Sequence, residues 1–304
     1  MKAVGFETYG SPEVLKMIEV ETPQAGPGEV RVRVKSAGVQ PADCAVRRGW
    51  TLPGMTVSLP HVTGNEFAGV VDQVGEGVAD WAAGDEVLGF RMQQAYAEYV
   101  VAPADQIVAK PPVMSWEVAG SLSASGQTAH TAIETLRIGP GDTLFINGAA
   151  GGVGTMAVQL ARLRGATVIG AASPGNHDYL RSLGAIPVAY GEGLEERLRA
   201  LAPGGIEAAL DAAGEDGLRV SARLVPELDR VVTIVAFEAA QSLGASGLRS
   251  RRSAQRLAEL ARLYAEGKLL AHIRSSYPLS RAADAHREVE TGHGRGKVVL
   301  IVDG

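Results

Sequence analysis

The pattern of apolar and polar positions changes character near residue 118 of the 304-residue chain. Up to that point, short runs of alternating apolar and polar residues, such as VRVRV at 30–34, are separated by glycine and proline turns. A period of two with turn residues at both ends is typical of half-buried β-strands. We therefore predict a mainly β segment, with further strands at 69–74 and 86–89.

Residues 116–135 are helical in character, although the glycines at 120 and 126 are expected to interrupt the helix. From residue 143 onward, apolar runs alternate with amphipathic stretches, which predicts a parallel sheet with crossover helices. The predicted strands are 143–147, 167–169, 187–190, 208–211 and 230–235. The predicted helices are 178–183, 194–201, 218–224 and 256–267, and the tail returns to strand at 273–279 and 297–302 around a helix at 281–290.

A glycine-rich turn, NGAAGGVG at 147–154, lies between the first of these strands and a helix. Ala149, Gly151 and Gly154 occupy the three positions of a G-x-G-x-x-G pattern, with alanine in the first. The N–H groups and dipole at a helix N-terminus favour an anion such as a dinucleotide pyrophosphate. Gly151 and Gly152 are expected to leave room for it, and Gly154 to let the helix pack close to the strand. The strand–turn–helix context favours a dinucleotide site over an ordinary tight turn.

The end of the second strand indicates which dinucleotide binds. An acidic residue about 20 positions after the first glycine holds the ribose 2′-OH of NAD. Here Ala171, Ala172 and Ser173 occupy that place, and no acid lies between residues 143 and 178. Because nothing there would repel a 2′-phosphate, NADP(H) is favoured over NAD. The polar side chains near enough to serve the phosphate are Ser173, Asn176, His177 and Arg181.

Charge and composition narrow the classes of partner. A net charge of −5 and a pI near 5.8 argue against general binding to nucleic acid or anionic membranes. No apolar run is long enough for a membrane span or a signal peptide, so we expect a cytoplasmic protein. The single cysteine, Cys44, excludes an internal disulfide and a multi-cysteine metal site. The basic cluster is interpreted as a solvated face and consists of Arg249, Arg251, Arg252 and Arg256.

Seven stretches together carry a family resemblance over nearly the whole chain. They are GVQPADCAVRRG at 38–49, GNEFAGVVDQVGEGV at 64–78, GDEVLGF at 84–90, GQTAHTAI at 126–133, NGAAGGVG at 147–154, DAAG at 211–214 and GKVVL at 296–300. With them, the chain resembles the zinc-free quinone oxidoreductase branch (the ζ-crystallin type) of the medium-chain dehydrogenase/reductase superfamily. The resemblance implies an α/β protein in which a GroES-like β-barrel catalytic domain, 1–118 with 268–304, surrounds a Rossmann domain with a doubly wound parallel sheet at 119–267. The active site would lie in the cleft between them.

The resemblance also implies the chemistry. Zinc-dependent relatives carry a cysteine and a histidine at the positions of Gln40 and Asn65, so no metal is expected. Without a Lewis acid, the expected reaction is hydride transfer from NADPH to quinones or activated α,β-unsaturated carbonyls. An enoyl-thioester reductase and a non-catalytic NADPH-binding sensor or structural protein are the alternatives. A homodimer is expected, although the segment 238–255, which usually supplies a strand that pairs across a dimer, is short here.

The resemblance further assigns roles to individual residues. Gln40 would lie near the nicotinamide and the substrate, Thr128 beside the nicotinamide, and Trp50 beside the substrate. Asn176 stands where relatives often place a lysine for the 2′-phosphate. The other expected cofactor contacts are Ala150, Gly151, Gly152, Val153, Ser173, Tyr190, Ala213, Phe237 and Arg295. No general acid is identified, so the proton would come from solvent.

Three residues close to Gln40 in the sequence have simpler interpretations. Trp50 is equally consistent with a half-buried surface aromatic. Cys44 is expected to be a small core residue. Asp43 and Arg47 stand four positions apart on a helix, and we expect them to form a structural ion pair.

Overall fold

The computed structural model describes residues 1–51 and 57–302. Its N-terminal part consists of short strands and one helix, in agreement with the alternating pattern. The elements are β1 (Lys2–Phe6), β2 (Lys16–Glu19), β3 (Glu29–Val39), α1 (Pro41–Arg47), β4 (His61–Val62), β5 (Glu66–Val74), β6 (Glu86–Phe90), β7 (Tyr99–Pro103) and β8 (Ile107–Ala109).

β3 is the central strand of the N-terminal part. It pairs antiparallel with both β5 and β7, and the sheet continues from β5 through β6 to β8. Val30, Val32 and Val34 are buried while Arg33 is exposed, so the two-residue period places one face of the strand in the core. β1, β2 and β4 form a separate three-stranded sheet.

A long helix, α2 (Trp116–Thr135), connects the two parts of the molecule. The expected interruptions at Gly120 and Gly126 are wrong, because the helix runs unbroken through both. A β-carbon at residue 120 would lie 2.6 Å from the backbone oxygen of Ser36, and one at residue 126 would lie 2.8 Å from Leu260 Cδ1. The two glycines therefore serve close packing, which outweighs their low helix propensity.

The central part alternates strand and helix. Its elements are β9 (Thr143–Asn147), α3 (Gly152–Leu163), β10 (Thr167–Ala172), α4 (His177–Ser182), β11 (Ile186–Ala189), α5 (Leu194–Leu201), β12 (Ala208–Asp211), α6 (Glu215–Leu224), β13 (Val231–Thr233), α7 (Phe237–Leu243), β14 (Ser246–Gly247) and α8 (Ala254–Ala265). All six strands are parallel, in the order β11-β10-β9-β12-β13-β14. This is the order of a doubly wound dinucleotide-binding sheet. α7 and β14 were not predicted, and β14 has only two residues.

The C-terminal part returns to the N-terminal sheet. It contains β15 (Ile273–Pro278), α9 (Ala282–Glu290) and β16 (Lys297–Ile301). β16 pairs parallel with β15 and antiparallel with β3, where Val298 faces Val39. β15 and β16 therefore extend the sheet that is built on β3.

Candidate active site

The predicted cofactor residues gather at one edge of the parallel sheet. The sheet order reverses between β9 and β12, and ligands of such sheets bind outside the carboxyl ends of the strands at this point. Each predicted residue here follows the end of a strand in the chain: Ala150, Gly151, Gly152 and Val153 follow β9, Ser173 and Asn176 follow β10, Tyr190 follows β11, Ala213 follows β12, and Phe237 follows β13.

The turn after β9 has the close packing that its glycines predicted. A β-carbon at Gly154 would lie 2.3 Å from the backbone oxygen of Gly148 and 2.6 Å from Ala149 Cα, so only glycine lets α3 approach the strand so closely. Gly151 is the N-cap of α3. A β-carbon there would meet only the Gly148 oxygen, at 3.4 Å, so the position is open toward a ligand.

The surroundings of Gly152 differ from our expectation. A β-carbon there would lie 2.7 Å from Ser125 Oγ and 2.9 Å from Lys297 Cδ. The missing side chain therefore makes room for the protein's own α2 and β16, and not only for a pyrophosphate. A substitution at Gly152 would disturb the free protein as well as a complex.

The C-terminal part is fastened to this turn. The Gly296 N–H donates to the Ala150 oxygen at 2.9 Å, and Gly296 forms an isolated parallel bridge with Gly151. Gly296 has φ +64°, and a β-carbon there would lie 2.1 Å from the His272 oxygen. These contacts bring Arg295 and Lys297, the two neighbours of Gly296, to the glycine turn.

A chain of polar side chains links the end of β10 to Arg295. Asn176 Nδ2 donates to Ser173 Oγ at 3.1 Å, and Arg295 Nε donates to Asn176 Oδ1 at 3.2 Å. The Arg295 guanidinium lies 4.4 Å from the centre of the Tyr179 ring. Within residues 1–51 and 57–302, no carboxylate forms an ion pair with Arg295. The structure thus brings Ser173, Asn176 and Arg295 together into one cationic group, which we call the β10 cluster.

The other two 2′-phosphate candidates are engaged elsewhere. Arg181 pairs with Asp178 at 2.6 Å, three residues earlier on the exposed face of α4. His177 Nε2 lies 3.4 Å from the backbone oxygen of Ala172. Neither residue joins the β10 cluster through a hydrogen bond among the described residues.

On the other side of the turn, Glu66 and Lys297 form a buried ion pair. Lys297 Nζ lies 3.0 Å from Glu66 Oε1, and the two side chains are 4% and 0% exposed. The Ala124 N–H donates to Glu66 Oε2 at 2.6 Å, and Gln40 Nε2 donates to Oε1. These bonds place Gln40 one side chain away from Lys297, which itself lies against Gly152. Gln40 therefore lies near the glycine turn, and its contact with the cofactor stays a prediction.

Asp43 lies beside Gln40 in the same buried region. It accepts hydrogen bonds from the Gln40 N–H and Asn65 Nδ2, both at 2.9 Å, and from the Tyr96 hydroxyl at 3.0 Å. Burial raises the pKa of Asp43 to about 6, against the opposite effect of these bonds. The predicted Asp43–Arg47 ion pair is wrong, because α1 directs Asp43 inward while Arg47 pairs with Glu290 of α9.

Arg252 joins this buried region through Asn65. Its two Nη atoms donate to the backbone oxygen and to Oδ1 of Asn65, at 3.0 and 2.9 Å. The interpretation of its segment as a solvated face is therefore wrong for Arg252, which is half-buried. We call Gln40, Asp43, Asn65, Glu66, Lys297 and Arg252 the barrel cluster.

Sequence reasoning did not single out Glu66 and Lys297, although a signal was present. Glu66 begins the apolar run FAGVV, and Lys297 begins VVLI. A charged residue at a buried strand position breaks the apolar pattern and marks a paired or functional group. No comparable signal exists for Arg252, because its partner lies 187 residues away.

The barrel cluster does not suit zinc. Zinc needs several thiolate, imidazole or carboxylate ligands in tetrahedral arrangement. Among residues 1–51 and 57–302, no group of three or more such side chains could hold a metal ion. The amides of Gln40 and Asn65 are bonded within the protein, and the cations Lys297 and Arg252 lie beside them.

The remaining predicted residues have no hydrogen bond to either cluster within the described part of the chain. Thr128 donates to the backbone oxygen of Ala124 in its own helix, at 2.6 Å. Trp50, Tyr190 and Phe237 are 45%, 53% and 41% exposed, so each offers a large free surface. Cys44 is 1% exposed, as expected of a core residue, and burial raises the pKa of its thiol.

Comparison with known proteins identifies the family. The alcohol dehydrogenase GroES-like domain matches residues 26–112, and the zinc-binding dehydrogenase family matches residues 183–300. The structure of the quinone oxidoreductase from Coxiella burnetii is 32% identical, with a TM-score of 0.92 and coverage of 100% of this chain and 99% of that one. The chain belongs to the quinone oxidoreductases of the medium-chain dehydrogenase/reductase superfamily.

Two further solved structures are similar to this chain. An NAD-dependent alcohol dehydrogenase is 31% identical, with a TM-score of 0.89 and coverage of 100% of both chains. The Escherichia coli quinone oxidoreductase complexed with NADPH is 26% identical, with a TM-score of 0.87 and coverage of 99% of this chain and 100% of that one.

Family membership confirms the predicted fold, a GroES-like barrel with a Rossmann sheet, and makes the protein a medium-chain oxidoreductase. In the part of the chain that the structure describes, no helix combines the length and the apolarity needed to cross a membrane.

Proposed function

We propose that the protein is an NADPH-dependent reductase of quinones or activated α,β-unsaturated carbonyls. The observation that carries the NADPH preference is the β10 cluster. The end of β10 carries no carboxylate, and Arg295 is held there by Asn176 without an ion-pair partner among the described residues. A 2′-phosphate is the group that such a cation favours and that a carboxylate would repel. The NADPH bound to the E. coli relative supports the proposal.

The residues of the glycine turn fit the rest of the dinucleotide. The N-terminus of the twelve-residue helix α3 begins at Gly152, where free N–H groups and the helix dipole attract a pyrophosphate. Ala150, Gly151 and Val153 would complete this cradle. Tyr190 and Phe237 would flank the cofactor with their exposed rings, and Ala213 would lie at the end of β12.

The bound nicotinamide would supply the hydride, and the protein would orient it and exclude water. Gln40 and Thr128 would lie on the nicotinamide side, and Trp50 on the substrate side. The barrel cluster replaces zinc ligands with hydrogen-bonded amides and charges, so we propose a zinc-independent reaction. The proton would come from solvent.

An enoyl-thioester reductase and a non-catalytic NADPH-binding protein are the alternatives. A panel of quinones, enones and enoyl thioesters, assayed by the loss of NADPH absorbance, separates them from the main proposal. Rapid NADPH oxidation with quinones or enones supports it, and oxidation with enoyl thioesters alone would favour the first alternative. NADPH binding without turnover on any acceptor would favour the second.

We also propose that residues 1–118 and 268–304 form the catalytic domain and that residues 119–267 form the cofactor domain. We further propose a cytoplasmic location and a homodimer that binds no nucleic acid. The two-residue β14 lies at the edge of the parallel sheet, so it would offer little strand for pairing across a dimer. Sedimentation analysis would test the dimer directly.

A further inference from the structure

Arg252 differs from Arg251 and Arg256 because it lacks a carboxylate partner. Arg251 and Arg256 reach Glu134 Oε2 at 3.6 and 2.6 Å. Over residues 1–51 and 57–302, Arg252 forms no ion pair. Its guanidinium instead donates twice to Asn65, a neutral residue, at 3.0 and 2.9 Å. Arg252 is therefore the one arginine of these three whose charge is not neutralised by direct contact.

The nearest acids are already engaged with other donors. Glu66 accepts from Lys297, and Asp43 accepts from Tyr96. Burial lowers the pKa of Arg252, while the charges of Glu66 and Asp43 act in the opposite direction. The guanidinium is half-buried, so water solvates it only in part. A partly desolvated cation that contacts no carboxylate attracts a negatively charged oxygen.

The position of Arg252 connects it to the proposed cofactor site. The next residue, Ser253, donates its N–H to Gln127 Oε1 at 2.7 Å, and Gln127 precedes Thr128 on α2. Asn65 precedes Glu66, which binds Lys297 beside the glycine turn. Arg252 and Ser253 thus join their segment to Asn65, which precedes β5, and to α2, the helix that carries Thr128.

We propose that Arg252 binds the carbonyl oxygen of the acceptor and stabilises the negative charge that develops there during reduction. This inference rests on the proposed function. A guanidinium has five N–H groups, and Asn65 takes two of them. The other N–H groups have no acceptor among the described residues and are free to meet an oxygen. Asn65 fixes the guanidinium in advance, as electrostatic stabilisation requires.

The chemistry requires such a group. An α,β-unsaturated carbonyl that receives a hydride at its β-carbon forms a C–H bond there, and the electron pair of the C=C bond moves to leave an enolate oxygen. The bound nicotinamide would supply this hydride with its two electrons, and solvent would then give one proton to the α-carbon. A quinone gains the same hydride and proton and becomes a hydroquinone through its monoanion. In both cases the oxygen gains negative charge, so a fixed cation lowers the barrier.

Arg252→Met and Arg252→Lys test the proposal, with Arg251→Met as the matched control. We expect Arg252→Met to lower kcat/KM for quinones and enones by about 10- to 100-fold, the range for a lost charge-assisted hydrogen bond. The Kd for NADPH, measured by fluorescence, should stay within about twofold, because Arg252 contacts neither the glycine turn nor the β10 cluster. Arg252→Lys should fall in between, and Arg251→Met should match the parent.

A second readout does not depend on turnover. 4-Nitrophenol, whose ionised form absorbs visible light, serves as a probe for an acceptor oxygen, with and without saturating NADP⁺. The parent should bind the phenolate preferentially and lower the apparent pKa of the bound probe. Arg252→Met should lose this shift, and Arg252→Lys should keep part of it. A residue that only supports the fold would not change the shift.

The outcomes separate two kinds of failure. An Arg252→Met protein with the parent's kcat/KM and phenolate shift overturns the role of Arg252, as does an equal loss of NADPH binding. If Arg252→Met does not fold, Arg252→Lys is compared with the parent instead. An Arg252→Lys protein with the parent's kcat/KM and the parent's phenolate shift would then overturn the role. A parent that oxidises no NADPH with any acceptor overturns the proposed function and with it a role in reduction. In that case, a phenolate shift that depends on Arg252 would still support binding of an anionic oxygen.

Discussion

Arg295→Met is the sharpest test of cofactor choice, because it removes the only cation of the β10 cluster. The arginine is held at 3.2 Å by Asn176 and lies over the Tyr179 ring at 4.4 Å. Methionine keeps an apolar side chain of similar length against that ring while removing the charge and the hydrogen bond to Asn176. The change should therefore act on the 2′-phosphate and spare the fold.

The magnitude follows from electrostatics at a half-buried position. Two unit charges about 4 Å apart interact by about 1 kcal/mol at the dielectric constant of water and about 4 kcal/mol at the lower value typical of protein surfaces. A hydrogen bond to a charged group contributes about 1.5–3 kcal/mol. We expect Arg295→Met to weaken NADPH binding by roughly 10- to 150-fold, since about 1.4 kcal/mol is a tenfold change. NADH, which lacks the 2′-phosphate, should change by less than about twofold.

Fluorescence titration of both nucleotides at low and high salt measures this effect. The ratio of the NADPH and NADH dissociation constants cancels any shared loss from disturbance of the fold. The matched control is Arg181→Met, which removes a nearby arginine paired with Asp178 outside the β10 cluster. The control should keep the parental ratio. The preference for NADPH should also shrink with salt in the parent more than in Arg295→Met, because added ions screen the phosphate–guanidinium attraction.

Two results would refute the reasoning. If both nucleotides lost affinity equally, Arg295 would act on the part that they share, such as the pyrophosphate. If neither changed, the β10 cluster would not lie at the 2′-position. A parent that prefers NADH would contradict the proposal before any variant was made, and the NAD-dependent relative makes this comparison necessary.

Three further predictions follow from the same structure. Elemental analysis should find no stoichiometric zinc and chelators should leave activity unchanged, whereas about one zinc per chain would contradict the poor fit of the barrel cluster. Gly154→Ala should lower the free energy of unfolding by about 1–3 kcal/mol through overpacking, and the control Gly151→Ala should lower it by clearly less. Equal melting temperatures of the two variants would disprove the packing argument. Burial lowers the pKa of His286 to about 3, so the folded state binds fewer protons than the unfolded state between about pH 3 and 6.5 and loses stability as the pH falls through that range. His286→Leu should remove this part of the loss of stability in acid, which is at most about 1.4 kcal/mol per pH unit. The exposed control His293→Leu should not remove it. If the curves of unfolding free energy against pH were parallel for His286→Leu and the parent, the argument would be refuted.

The parallel sheet was predictable because its signals are local. Each strand is a short apolar run, and each crossover helix follows it within a few residues. The bounds of β9 and α5 agree with the prediction, since glycine or proline turns flank both segments. The prediction failed at Gly120 and Gly126 because the contacts that matter there are not local. Their partners Ser36 and Leu260 are distant in the sequence, so helix propensity was the only information at hand.

The candidate site was predictable only in part. The glycine turn and the missing acid at the end of β10 are readable from a few neighbouring residues. The hydrogen bond between Arg295 and Asn176 joins residues 119 positions apart, and the barrel cluster joins residues from four separate regions. Such contacts depend on the path of β16 back to β3, which no local pattern specifies.

The barrel cluster places two acids and two bases where a fold alone would favour apolar side chains. Glu66 and Asp43 are fully buried, Lys297 is 4% exposed, and Arg252 is half-buried. Burying paired charges adds little net stability, whereas removing one partner leaves an uncompensated charge and costs about 3–5 kcal/mol. The cluster draws on β5, α1, β16 and the segment after β14, so each of these elements must be in place before its hydrogen bonds and ion pair form. We propose that these charges are positioned for the cofactor and the acceptor, because packing alone gives no reason to place them there.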